Sequence, residues 1–193
     1  MTALQARGDD EVPRRGNRAI VLIGRFLLTA IGWRIEGEIP NLRKFVIAVA
    51  PHTSNWDFLV GVAAMFALDL RLTFIGKHTL FAGPFAPFLR WMGGIPVDRS
   101  SPHGMVGDSV HAFESVERRI LAIAPQGTRK PVPRFKSGFL HIARGAGVPI
   151  LLVALDYGTR SVRLGPLVTP GEDVEAERER IEGWFKDVKG KKR

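Results

Sequence analysis

The chain has no cysteine among its 193 residues. Disulfides, thiol nucleophiles and thiolate-bound metals are thereby excluded; redox usage leaves the compartment open, and a reducing cytosol fits without strain. Long apolar runs are missing too, and nothing approaches the ~20 uninterrupted apolar residues of a membrane-spanning helix. The nearest stretch, residues 19–31, is interrupted by Gly24 and Arg25. A secretory leader is not expected, because Asp9, Asp10 and Glu11 precede that stretch and no small-residue cleavage site follows it. Acidic residues are the third shortage: 19 Asp and Glu stand against 28 Lys and Arg, a formal charge of +9. Such a balance attracts polyanions. Nucleic acid is not the expected partner, since the basic residues are scattered and no recognition motif accompanies them. An anionic membrane surface or a phosphate-bearing substrate fits better. His103, Asp108 and His111 lack any standard ligand spacing, so no metal and no cofactor are expected.

Residues that build a core are present in ordinary measure, 45% of the chain, enough for one domain of this length. Residues 1–17 are polar, basic and glycine-containing, and read as a mobile tail. Residues 18–188 form the domain, and 189–193 a basic C-terminal tail. At the start of the domain Arg14, Arg15, Arg18 and Arg25 flank or interrupt an apolar segment with Phe26, Leu27, Leu28 and Trp33. That pattern suits a helix lying in a membrane interface, and equally a first helix packed on the core. Strand-like runs at 45–50, 71–77, 95–99, 120–124, 148–156 and 161–164 follow. They alternate with helical patterns near 55–69, 85–91, 105–118, 136–144 and 172–188. The alternation predicts a single α/β domain, a mostly parallel or mixed sheet covered by helices.

One stretch carries chemistry. His52-Thr53-Ser54-Asn55-Trp56-Asp57 joins the first core strand to the helix that follows. Imidazole can take a proton near neutral pH, and a carboxylate can fix its tautomer and stabilise the imidazolium. Thr53, Ser54 and Asn55 are all good N-cap residues, so Asp57 falls in the first turn, where the helix favours an ionised carboxylate. Two other loops at strand ends are chemically compatible. Arg99 can form a bidentate pair with a phosphate. Gly127 and Thr128 offer backbone N–H groups and a hydroxyl to anionic oxygens, and Arg129 follows them. Together these predict deprotonation of a hydroxyl on a phosphate-bearing molecule.

The same residues resemble those of the glycerolipid acyltransferases, the family of 1-acylglycerol-3-phosphate (lysophosphatidic acid) acyltransferases. His52 through Asp57 fits the family's His-X4-Asp signature. Gly94-Ile95-Pro96-Val97-Asp98-Arg99 is similar to its second block, and Ala124-Pro125-Gln126-Gly127-Thr128-Arg129 to its third. Val148-Pro149-Ile150 resembles the fourth, and Phe135-Lys136-Ser137-Gly138-Phe139 the connecting segment. The resemblance covers residues 45–157 and implies a glycerol-3-phosphate acyltransferase-like fold. It also implies roles: His52 as the catalytic base, Asp57 as its orienting acid, and Arg99, Gly127, Thr128 and Arg129 as substrate-binding residues for the acceptor's phosphate. The implied donor is acyl-CoA or acyl carrier protein, the acceptor a lysophospholipid, and the place of action the cytoplasmic face of the cell membrane. Gln126 departs from the family, which usually carries Glu there; the shape is kept and a negative charge is lost.

The same residues leave rival readings open, beginning with a helix cap at His52–Asp57, a solvated charge at Arg99 and a plain turn at Gly127. Gly107-Asp108-Ser109 resembles a nucleophile block of some lipases. It lies in a helical pattern, however, and no histidine follows His141 to complete the usual order. The remaining alternatives are an acyltransferase for a different lyso-lipid and an inactive peripheral lipid-binding protein on the same fold.

Overall fold

The structure, a computed structural model, describes residues 10–97, 102–130 and 132–191, with the side chains of residues 102 and 103 outside that description. Its centre is a seven-stranded sheet in the order β1-β7-β6-β2-β5-β3-β4. Strands β2 (Lys44–Ala50), β3 (Thr73–Lys77), β4 (Gly94–Val97), β5 (Arg119–Ile123) and β6 (Ile150–Asp156) run parallel. β7 (Ser161–Val168) is antiparallel to β6, and β1 (Arg34–Glu36) pairs parallel to β7 at the outer edge. The expected single α/β domain with a mixed sheet is what forms.

The two central strands explain the architecture. β2 and β6 read Lys-Phe-Val-Ile-Ala-Val-Ala and Ile-Leu-Leu-Val-Ala-Leu-Asp, almost continuous apolar runs buried on both faces. Such strands require helices on either side of the sheet. On one face Phe45 and Ile47 meet α1 (Arg18–Ala30) and α2 (Asn55–Ala67) through Leu28, Val60 and Ala63. On the other, Val46, Ala48 and Ala50 meet α4 (Pro102–Glu114), α5 (Gly138–Gly145) and α6 (Val174–Phe185) through Phe113, Phe139, Ile142 and Ile181. A short helix, α3 (Ala86–Trp91), precedes β4.

Three local expectations differ from the structure. Residues 10–17 of the expected mobile tail are laid along the domain; residues 1–9 lie outside the described region. Val12 is buried, Arg14 bridges to Leu70, and the Arg15 guanidinium donates to the carbonyls of Leu70 and Met92. The arginines that make the segment look solvated are what anchor it. β1 is three residues long and has no apolar alternation to betray it. β7 continues past Gly165 and Pro166, which read as a break. The β6–β7 register shifts between Leu151 and Val153, and Pro166 sits in that irregularity, where a missing N–H is tolerated. Gly165 is required there because a Cβ would come within 2.2 Å of the Trp184 ring.

α1 lies against α2 through Val21, Gly24 and Leu28, one helical face. At Gly24 an added Cβ would stand 2.4 Å from the Ala67 nitrogen and 2.8 Å from the Ala63 carbonyl oxygen, backbone atoms that cannot swing away. Alanine is the better helix former by ~1 kcal/mol. Overpacking nevertheless dominates, and Gly24→Ala should lower stability by about 1–3 kcal/mol, read as a fall in the urea midpoint; an unchanged or higher midpoint would contradict the close α1–α2 packing.

Candidate active site

Parallel strands place their following loops at one edge of the sheet. β2 lies between β5 and β6, with Ala48 opposite Ile123 and Ala50 opposite Ala154. The His52 loop therefore emerges between the turn after β5 and the residue after β6. A cis peptide joins Ala50 to Pro51. The His52 backbone N–H then donates to the Gln126 side-chain oxygen, which ties the β2 loop to the β5 turn.

Ser54 caps α2 and accepts the Trp56 N–H, so Asp57 falls in the first turn, as its position predicts. Its side chain is wholly buried, whereas His52 remains 24% exposed. A substrate can thus reach the imidazole while water does not reach the carboxylate. Asp57 Oδ2 accepts the backbone N–H groups of Thr53 and Ser54, each at 2.6 Å. His52 Nδ1 stands 3.4 Å from the same oxygen, the outer edge of hydrogen-bond range and a distance that shortens when the ring gains charge. Oδ1 accepts the Tyr157 hydroxyl at 2.7 Å. Burial by itself raises the Asp57 pKa; the hydrogen bonds from His52, Tyr157, Ser54 and Thr53 together outweigh it and hold the carboxyl below its ordinary value. The ionised carboxylate presents Oδ2 to Nδ1, which places the ring's Nε2 lone pair outward to act as base.

The other sequence-predicted residues divide. Gly127, Thr128 and Arg129 follow Gln126 directly, so their turn stands beside the His52 loop. Gly127 adopts φ +66°, and a Cβ there would lie 3.0 Å from the Lys136 side chain. Its N–H donates to the Ala124 carbonyl, so Gly127 shapes the turn and admits Lys136 over it, while that N–H is spent internally. The Thr128 hydroxyl accepts the Lys130 N–H at 3.3 Å and keeps its own proton to donate; Arg129 is exposed. Arg99 lies outside the described residues; β4, two positions before it, ends at Val97 on the same edge of the sheet.

Two partners of the pair were not assigned from sequence. Tyr157 is one residue beyond β6, a position at the strands' carboxyl edge that could have flagged it. In the sequence Gln126 shows only as a departure in charge. Its carbonyl oxygen does what a carboxylate oxygen would do, accepting the His52 N–H, so the tie between loops survives the replacement.

The carboxylate's environment has a stability consequence. Because the native pKa is depressed, ionised Asp57 adds stability that is present above the ordinary value of 3.8 and is lost as pH falls through the lower native value. In Asp57→Asn the amide oxygen can still accept from Thr53 and Ser54 while the Tyr157 hydroxyl reverses to accept from the amide. The variant should fold, about 1 kcal/mol less stable than wild type at pH 7, and that margin should close below pH 3.8 in denaturant titrations. A margin independent of pH would mean that the ionised form is not the one the fold favours.

A family model described as Acyltransferase matches residues 33–156. The chain is 32% identical over 157 residues to the 1-acyl-sn-glycerol-3-phosphate acyltransferase of Escherichia coli (strain K12), a match covering 76% of this chain and 62% of that protein. The protein of the same name from Salmonella typhimurium is 33% identical over 129 residues, 63% of this chain and 51% of that one. The matches therefore span roughly half to three fifths of these relatives' length. The crystal structure of the 1-acyl-sn-glycerophosphate (LPA) acyltransferase PlsC from Thermotoga maritima has the same fold, with a TM-score of 0.62 at 22% identity over 90% of this chain and 81% of that one. Because the family model runs from β1 through β6 and includes the His52–Asp57 pair, the chain belongs to the acyltransferase family.

Proposed function

We propose that the protein transfers a fatty acyl group from a thioester donor, acyl-CoA or acyl carrier protein, to the hydroxyl of a lysophospholipid in phospholipid biosynthesis. The preferred acceptor is 1-acylglycerol-3-phosphate, giving phosphatidic acid. The observation that carries this reading is a reachable imidazole backed by a buried, ionised carboxylate, beside a turn that ends in Thr128 and Arg129. The names of the relatives support the choice of acceptor.

In this mechanism the acceptor hydroxyl donates to His52 Nε2. As its oxygen attacks the thioester carbonyl, the proton passes to Nε2 and Asp57 stabilises the imidazolium through Nδ1. The tetrahedral oxyanion is held by hydrogen-bond donors, each commonly worth ~3 kcal/mol. On collapse the C–S bond breaks and the thiolate leaves, taking up the proton from His52. No covalent acyl-enzyme is needed. Arg99, Thr128 and Arg129 bind the acceptor's phosphate, with Gly127 shaping their turn and the Lys136 stem packed over it.

The reaction also needs access to lipid, and we assign that contact to α1, at the cytoplasmic face of the membrane. No described helix is long and apolar enough to cross a membrane. Opposite the face that packs on α2, however, α1 exposes Leu22, Ile23, Phe26 and Leu27. Under α1, the buried Phe66 sets its Cβ against Gly24 on the packed face, and its ring meets the exposed Trp91 of α3 edge-on at 6.3 Å. Arg15 borders the junction, its guanidinium 5.2 Å from the Trp91 ring centroid. An apolar face bordered by cations suits the surface of an anionic bilayer.

Purified protein, incubated with acyl-CoA or acyl carrier protein and a panel of lyso-lipids, should acylate 1-acylglycerol-3-phosphate, as read by mass spectrometry. His52→Ala should lower kcat by about two to four orders of magnitude; turnover near wild type would remove the mechanism. Arg99→Ala should chiefly raise the acceptor's KM, and an unchanged KM would end its phosphate role. The double variant Leu22→Ser/Phe26→Ser should lose about 1.5–3 kcal/mol of membrane partitioning per side chain, measured by co-sedimentation with phosphatidylglycerol vesicles. Unaltered sedimentation would move the contact away from α1.

A further inference from the structure

Tyr157 is the single tyrosine of the chain. We propose that it is a positioning residue for the catalytic pair: its hydroxyl holds Asp57 Oδ1, which commits Oδ2 to the His52 side. The proposal rests on the reading of His52 as the base. A carboxylate offers about four lone-pair sites on two oxygens, and at Asp57 the two oxygens are used differently. Oδ2 takes the Thr53 and Ser54 N–H groups and faces His52 Nδ1. Those backbone donors belong to the same loop and helix cap as Asp57, so they hold the carboxylate only relative to its own segment. Tyr157 comes from the end of β6, the neighbour of β2, and reaches Oδ1 at 2.7 Å. It is the tie from the first turn of α2 to the sheet, and it blocks rotation of the carboxylate about its own axis.

The phenol is itself held. The Trp33 ring meets it nearly perpendicular, 83° between planes and 4.8 Å between centroids. Its backbone N–H donates to the Lys189 carbonyl at 2.8 Å, so residues after α6 brace it from the other side. Burial and then the bond to Asp57 raise the phenol's pKa above its ordinary value, which keeps the hydroxyl protonated and donating throughout the neutral range.

A purely structural tyrosine would act through its ring, which phenylalanine retains. Tyr157→Phe should therefore fold and bind acceptor with an unchanged KM, yet lose about tenfold in kcat, the scale of one hydrogen bond to a charged group. With Oδ1 unpartnered, negative charge gathers on Oδ2 and holds the imidazolium more tightly. The acid limb of the kcat/KM profile should accordingly move to higher pH. Because there is one tyrosine, global replacement with trifluorotyrosine alters this hydroxyl alone and preserves the ring if the phenylalanine variant fails to fold. Its more acidic phenol ionises beside Asp57, so activity should fall at alkaline pH where the native protein's does not. Wild-type kcat and pH profile in Tyr157→Phe, or an effect confined to KM, would overturn the proposal, as would an unaltered alkaline limb with trifluorotyrosine. In the same assay His52→Ala separates the two claims. Loss of transfer there with an unaffected Tyr157→Phe overturns only the positioning role, whereas transfer by His52→Ala overturns the base itself.

Discussion

A buried carboxylate is expensive unless every face it presents meets a donor. Asp57 is the place where this protein meets that cost, and the arrangement of its active edge follows. Its side chain has no exposure to solvent, and its oxygens accept from two backbone N–H groups and one phenol. These donors come from the loop after β2, the cap of α2 and the end of β6. Satisfying one charge thus closes the loop and cap around Asp57 and ties them to the end of β6. His52, facing the same carboxylate, stays reachable from solvent, which is the chemical point of the arrangement.

Topology makes the convergence possible. β2 is central, with β5 and β6 parallel to it on either side, so its loop has neighbours at the same height. From β5 comes Gln126, which accepts the His52 N–H and brings the Gly127–Arg129 turn alongside. From β6 comes Tyr157. The helices fill complementary roles: α2 supplies the cap that orients Asp57, and α1, packed on α2 through Gly24, turns its outer apolar face to the surroundings. At its far end the chain leads through Trp33 to Tyr157, so α1 and the carboxylate's support are physically continuous.

Much of this was legible in the residues themselves. The buried strands announce themselves as apolar runs, and the Ser54 cap with Asp57 three residues on marks the helix start. The order of the motif blocks carried the family. What stayed hidden is whatever depends on contacts far apart in sequence. Tyr157 and Asp57 are 100 residues apart, and nothing local to a tyrosine after a strand says which acid it will meet. Residues 10–17 look like a solvated tail by composition, yet Val12 is buried and Arg15 spends its donors on backbone carbonyls of the domain. Glycine and proline ordinarily end strands, so Gly165 and Pro166 disguise the second half of β7; here an aromatic ring needs the space and an irregular register accommodates the proline.

The central claim is that Asp57 sets the proton on His52, leaving Nε2 free to act. Nitrogen-15 NMR of the histidine side chains at neutral pH tests it directly, with His52 assigned by its absence in His52→Ala. The account predicts the neutral tautomer with hydrogen on Nδ1 and an unprotonated Nε2. A His52 ring carrying its proton mainly on Nε2 would contradict it.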